Sequence, residues 1–450
     1  MTSRARGTLS RRRLLIGVSA LGAGAALGTA GCSIGAGTGG ALEFMNSYAP
    51  QDSGVEPQLI AQGEWFEAVI ADWNAAHPEQ VSLVYVPDYE NPMNPRIATS
   101  FAAENGPDVF LVSPGEFLRY YNGGVMHDLR PYMTPEAVAD FYPEALATRA
   151  VGDGIFALPM EIEPLSLYYD VAAFEDNGLS EGDLPRTWDE MMSVAQRLTT
   201  SSRFGLVLPT KPGYYQNFLF YPWIWQGGGD VVDAVTQQPV IDAPPVIAAL
   251  EMFRDAVATG IAPRTPPAGD ELVPAFTQGL AAMWQRGPWT IQEFALQAPE
   301  HRYGILPLPT PAGGRPVTAA GGWAWAVNNR GRDPEAAARF VVESVGSMDP
   351  PCVARMADWS SDRRPALPAR ASVSTAMEAL PSYGDPARAA IRAQLDQARS
   401  EPRFPPVIYK ALSNCIQSVQ LAGGDPAAEA EQAHGAIESF LETYEGATLL

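Results

Sequence analysis

Lysine is almost absent from this chain. Only Lys211 and Lys410 occur in 450 residues, and 30 basic residues stand against 51 acidic ones, a formal charge of −21. A surface of that sign repels a polyanion, and no basic patch interrupts it, which argues against nucleic acid as a partner. Histidine and cysteine are nearly as scarce, at four and three. No CxxC pair and no His-containing ligand spacing occurs among them, so neither a zinc site nor a cofactor is expected. The glycines of Gln226-Gly227-Gly228-Gly229-Asp230 lack the GKS or GxGxxG context that opens a phosphate-binding helix. A Ser-His-Asp signature is missing as well. There are no internal repeats.

Long apolar runs are missing too. The run from Ile16 to Ala30 is too short and too rich in Gly and Ala for a comfortable membrane span. Ser10-Arg11-Arg12-Arg13 precedes it and Gly31-Cys32 ends it, which reads as an export signal over residues 1–31, with paired arginines pointing to the twin-arginine route. Thr29-Ala30-Gly31-Cys32 is similar to the site where bacterial lipoproteins are cleaved and acylated, although Thr29 replaces the usual Leu. Cys32 is the expected lipid attachment point, and residues 32–41 have the composition of a flexible tether. Residues 1–31 hold five arginines and no acid, so the processed chain carries −26. An exported protein, lipid-anchored on the outer face of the cell membrane and otherwise soluble, is expected. Of the remaining cysteines, Cys352 and Cys415 leave a disulfide or two free thiols as equal alternatives.

What is present is ordinary globular composition, 46% hydrophobic and 18% charged, in a length that suits two or three domains. Residues 64–77 place Trp65, Phe66, Val69, Ile70 and Trp73 at helical spacing, and residues 81–86 alternate as a strand. Residues 106–112 read as a buried strand between helices over 97–104 and 117–122. Strands alternating with helices argue for an α/β lobe with a largely parallel sheet.

Residues 156–170, FALPMEIEPLSLYYD, stand out. Two carboxylates, Glu161 and Glu163, are set two apart in an apolar run, so in a strand they share one side. A buried carboxylate needs a partner, and the structural alternative is a sheet-edge Glu meeting an Arg or water. Further on, residues 214–225 hold seven aromatics, and Gly287-Pro288-Trp289 and Gly321-Gly322-Trp323 set tryptophans beside glycine turns.

Several of these segments together resemble the family 1 extracellular solute-binding proteins, carbohydrate receptors of bacterial ABC importers. The matching residues are LPMEIEPLSLYYD, Thr187-Trp188 with Glu190, the GPDV start at Gly106, and above all the AF-x-x-G-x-AAM run from Ala275 with the GPW at Gly287. The resemblance implies an α/β fold of two lobes, each a mostly parallel sheet flanked by helices and joined by crossing hinge strands. Its lobes would be residues 42–158 with 307–362, and 159–306 with 363–450. It implies a ligand cleft touched by Glu163, Glu161, Trp289, Trp323, Ser113, Glu116, Trp225, Gln226, Tyr48 and Glu64. One arginine among Arg363, Arg364 and Arg370 is implied there too, with Arg364 put forward. Its partners would be a carbohydrate, the importer's membrane permease subunits and, through the anchor, the membrane, with the chain acting as a monomer. Sugar rings stack on Trp and Tyr, and their hydroxyls suit carboxylates, amides and Arg. Two alternatives remain: the same receptor fold binding a glycerophosphodiester, and a secreted glycosidase using Glu161 and Glu163, whose one-sided placement disfavours catalysis.

Overall fold

The computed structural model describes residues 40–48, 57–87 and 96–449. The export signal and Cys32 lie outside them. Apolar strands Leu42–Asn46, Val81–Tyr85 and Val109–Val112 pair in parallel, with the first in the middle. Ala324–Val327 and then Leu158–Pro159 complete this five-stranded sheet, Ala324–Val327 running against both its neighbours. Helix Pro57–Ala76 connects the first two strands and presents its helically spaced Trp65, Phe66, Val69, Ile70 and Trp73 to the core. Phe66 stacks on Trp325 of the sheet with ring centroids 5.5 Å apart. The expected helix and strand over 64–86 are therefore present, the helix opening at Pro57.

A second sheet holds Ser166–Asp170 between Tyr303–Leu306 and Met283–Arg286. Both pairings are antiparallel, where mostly parallel pairing was expected of each lobe. The central strand enters from the crossing segment and runs against both neighbours; parallel bridges add only Phe204 and Val207. Helices Tyr214–Gln226, Pro244–Ala258, Pro406–Gln417 and Pro426–Leu441 pack together in this half.

Between the two sheets lies a four-stranded group, Leu367–Pro368, Glu161–Pro164, Thr318–Gly321 and Ala398–Ser400. Its Glu161–Pro164 strand follows Leu158–Pro159 of the first sheet and leads directly into Ser166–Asp170 of the second. One extended run thus threads all three sheets. Gly322 turns the neighbouring strand at φ +126°, and a Cβ there would overlap the carbonyl oxygen of Glu161. Only glycine tolerates both the dihedral and the approach.

Cys352 and Cys415 are free, which excludes the disulfide alternative. Each is buried in a different core, Cys352 with Phe44 and Trp359, Cys415 with Phe220 and Phe253. No helix among the described residues is long and apolar enough to cross a membrane.

Candidate functional site

Strand Glu161–Pro164 puts Glu161 and Glu163 on one face and Ile162 on the other, as a two-residue period requires. Both carboxylates are buried, and their partners differ. Glu163 is met by the Arg364 fork: Nε lies 2.6 Å from Oε1 and Nη2 3.2 Å from Oε2. Such two-point pairing is among the stronger side-chain contacts and fixes geometry as well as charge. Arg364 follows the π-helical turn Trp359–Arg363, and its backbone N–H donates to Trp359 O at 2.8 Å. The other two arginines are engaged elsewhere. Arg363 pairs with Asp358 at 3.1 Å, and Arg370 is buried against Asp140 at 2.8 Å and the carbonyls of Val345 and Ser347.

Among the described residues, no arginine forms a salt bridge with Glu161. Its two oxygens accept from the Trp323 backbone N–H and the Trp359 indole N–H, each at 2.6 Å. Burial pushes this carboxyl up to about 8, with Glu163 adding to the effect, while Arg364 and the two donors oppose it. With both oxygens taken inside the protein, Glu161 braces the Gly322-Trp323 turn and the segment that carries Arg364.

Trp289 is half-buried. The Arg364 guanidinium carbon lies 5.3 Å from its ring centroid, and the Tyr215 ring lies 6.5 Å away. Gly287 packs close against this indole, where a Cβ would overlap the ring. Gly287 O is in turn held by the Tyr168 hydroxyl at 2.9 Å. The crossing strand's Glu163, the turn arginine and the GPW tryptophan therefore converge. Tyr215 also accepts from Arg286 Nη1 at 3.2 Å. Together they offer an aromatic face, a carboxylate and guanidinium donors, a set suited to a hydroxyl-rich ring.

The other nominated residues fall into three groups. Trp225 and Gln226 sit away from this cluster. Trp225 stacks on Tyr221 and donates to Asp230 at 3.2 Å, and the Gln226 amide is used by Trp188, Leu308 and Val317. Helix Tyr214–Gln226 is buried almost all round, so its far end is core. Tyr48 stacks on Phe66 and meets Trp359 edge-on at 5.3 Å, Trp323 is buried in the same core, and Glu64 is half-buried on helix Pro57–Ala76. Ser113 and Glu116 open helix Pro114–Asn122, and Glu116 takes Arg119 at 3.3 Å while burial raises its carboxyl.

Two further buried charges escaped the sequence reading. Glu401 accepts a hydrogen bond from Gly115 N–H, beside Glu116. Arg149 acts electrostatically on both Glu401 and Glu161 and donates to Gly322 O at 2.7 Å. Both lie in irregular segments, where no periodicity marks a charged residue as buried.

Known proteins agree with this architecture. The sequence profile of the family described as bacterial extracellular solute-binding protein matches residues 56–342. A maltotriose-binding protein of Pyrococcus abyssi is 24% identical over 249 residues, covering 54% of this chain and 50% of its own length. The chain thus matches about half the length of that relative. The crystal structure of a cyclic alpha-maltosyl-1,6-maltose binding protein from Arthrobacter globiformis superposes with a TM-score of 0.71 at 21% identity, over 90% of this chain and 99% of that one. UgpB from Mycobacterium tuberculosis, solved with glycerophosphocholine, gives 0.73 at 19% identity, over 90% and 98%. At such identities the structures establish a shared two-lobed fold.

Removing one partner of a buried ion pair strands the other. Arg364→Ala is expected to lower the unfolding free energy by about 3–5 kcal/mol in a urea titration, and the paired change Glu163→Leu with Arg364→Met by much less. Equal losses in both would contradict a desolvated pair.

Proposed function

Because the chain belongs to the bacterial extracellular solute-binding protein family, we propose that it captures a carbohydrate between its two halves and delivers it to the permease of an ABC importer. The observation that carries this reading is the half-exposed Trp289 face standing against the buried Glu163–Arg364 fork. A pyranose ring stacked on the indole turns its hydroxyl edge toward groups that both accept and donate. The lobes are proposed as residues 42–158 with 307–362 and 159–306 with 363–450, joined by the crossing strands and closing on ligand as hinged domains do.

A phosphorylated ligand such as glycerophosphocholine is the second reading, favoured by Arg364 at the indole. The carboxylate of Glu163 already engages that guanidinium in two contacts, which leans toward a neutral sugar. A glycosidase is disfavoured because both Glu161 oxygens are held by protein donors.

A thermal-shift series with glucose, maltose, maltotriose and glycerophosphocholine separates these readings, since a ligand of the native state raises its melting temperature. A carbohydrate is expected to give the largest rise. Trp289→Ala should keep the melting temperature of the free protein and weaken that carbohydrate at least tenfold, about 1.4 kcal/mol. Intact affinity with a collapsed melting point would make Trp289 a packing residue instead.

Export and anchoring through Cys32 complete the proposal, supported by the arginines and small residues that precede it. Cys32→Ser should move the protein from the membrane fraction to the medium. Unchanged membrane association would remove the anchor.

A further inference from the structure

Strand Met283–Arg286 ends on Arg286, and the turn after it carries Trp289. Both side chains meet Tyr215, the second residue of helix Tyr214–Gln226. The start of that helix is pinned. Gly213 N–H donates to Ser413 Oγ at 2.9 Å, and Asn217 Nδ2 donates to Tyr409 O at 2.7 Å. The Tyr215 and Trp289 ring planes are inclined at 49°, so they form the two walls of a corner and not a stacked pair. Both rings are half-buried, which leaves each an open side.

A tyrosine hydroxyl has one hydrogen to give and lone pairs with which to receive. Here the receiving side is taken, because Arg286 Nη1 donates to the Tyr215 oxygen at 3.2 Å. Arg286 is itself fixed. It is buried, its Nη2 donates to Asp270 O, and its guanidinium carbon lies 5.1 Å from the Trp284 ring centroid. The Asp270 carboxylate turns instead to Lys211 Nζ, 3.0 Å away. The giving side of Tyr215 is unspent. Asp270 and Glu293 act on the hydroxyl through charge alone, and among the described residues no group accepts its hydrogen. Burial pushes the hydroxyl up to about 12, with Arg286 opposing, so the hydrogen stays on throughout the neutral range.

We propose that Tyr215 contacts the ligand as a hydrogen-bond donor: Arg286 fills the acceptor side of its hydroxyl, and the hydrogen goes to an acceptor oxygen of the ligand lying on Trp289. This deepens the reading of that indole as the ligand face, and it rests on that reading. Two sources share the chemistry. Ring, glycosidic and hydroxyl oxygens of a saccharide accept such a bond, and so do the phosphoryl oxygens of a phosphodiester. A group that only donates, such as an ammonium, meets a second donor at this point and is disfavoured. Arg286 is a positioning residue in this scheme and acts on the ligand through Tyr215. Its buried Nε has no partner among the described residues, so a contact of its own with the ligand is the rival arrangement.

A double-mutant cycle on affinity separates the two. Calorimetry with glucose, maltose, maltotriose and glycerophosphocholine selects the probe that binds the wild type most tightly. Tyr215→Phe keeps the ring and removes the hydroxyl, and should weaken that probe at least about fivefold, with circular dichroism unchanged. Arg286→Met leaves the hydroxyl in place but unheld, and should weaken it less. The double variant should bind as Tyr215→Phe does, because the arginine has no route to the ligand except the hydroxyl. A smaller loss in Tyr215→Phe overturns the donor role and leaves the carbohydrate reading standing wherever a sugar is the probe. A double variant weakened by the product of the two single losses overturns the arrangement in favour of a direct Arg286 contact. Glycerophosphocholine as the tightest probe overturns the carbohydrate reading alone, since the same cycle is then expected with a phosphoryl oxygen. Binding of none of the four removes both. If Arg286→Met does not fold, Tyr215→Phe decides.

Discussion

Two carboxylates buried on one face of a single extended strand constrain everything around them. Glu161 and Glu163 are placed in a segment that passes from the first sheet through the crossing strands into the second. Neither is stable there without donors. The donors come from two parts of the sequence far away: the turn at Trp323, and the turn that carries both the indole of Trp359 and the guanidinium of Arg364. Satisfying Glu161 fixes where the Trp359–Arg363 turn lies, and that turn delivers Arg364 to Glu163. The Glu163–Arg364 pair is therefore held by a second, fully internal set of hydrogen bonds.

This layering separates two roles that sequence spacing merges. Residues 161 and 163 share a face by periodicity, and on that ground alone they are equivalent. Burial makes them different. Glu161 ends with both oxygens spent on protein, while Glu163 shares a fork with Arg364 beside a half-open indole. The same logic sorts the arginines, since Arg370 is even more deeply buried than Arg364 but faces Asp140. No local pattern in Arg363-Arg364-Pro365 announces which guanidinium turns inward; the answer is set by the register of a π-helical turn.

What was legible followed from periodicity and from turns with a steric requirement. The amphipathic helix carrying Trp65 to Trp73, the alternation around Ile162 and the glycines beside Trp289 and Trp323 are local facts, and the structure keeps them. What was illegible depended on pairings distant in sequence. The antiparallel second sheet, the two separate cores that keep Cys352 from Cys415, and the placement of Trp225 in a core rather than beside Trp289 are all decided by neighbours a hundred or more residues away. Arg149 and Glu401 belong to the same class, as charged residues in irregular segments that only the assembled fold buries.

The convergence of Trp289, Glu163 and Arg364 on one ligand is the central claim. Its most direct test is a crystal structure grown with whichever carbohydrate stabilises the protein most. Density for a sugar ring stacked on Trp289, with a hydroxyl about 2.7–3.2 Å from the Glu163 carboxylate or the Arg364 guanidinium, is the expected result. The same carbohydrate bound elsewhere, with the Trp289 face empty and the fork untouched, would contradict it.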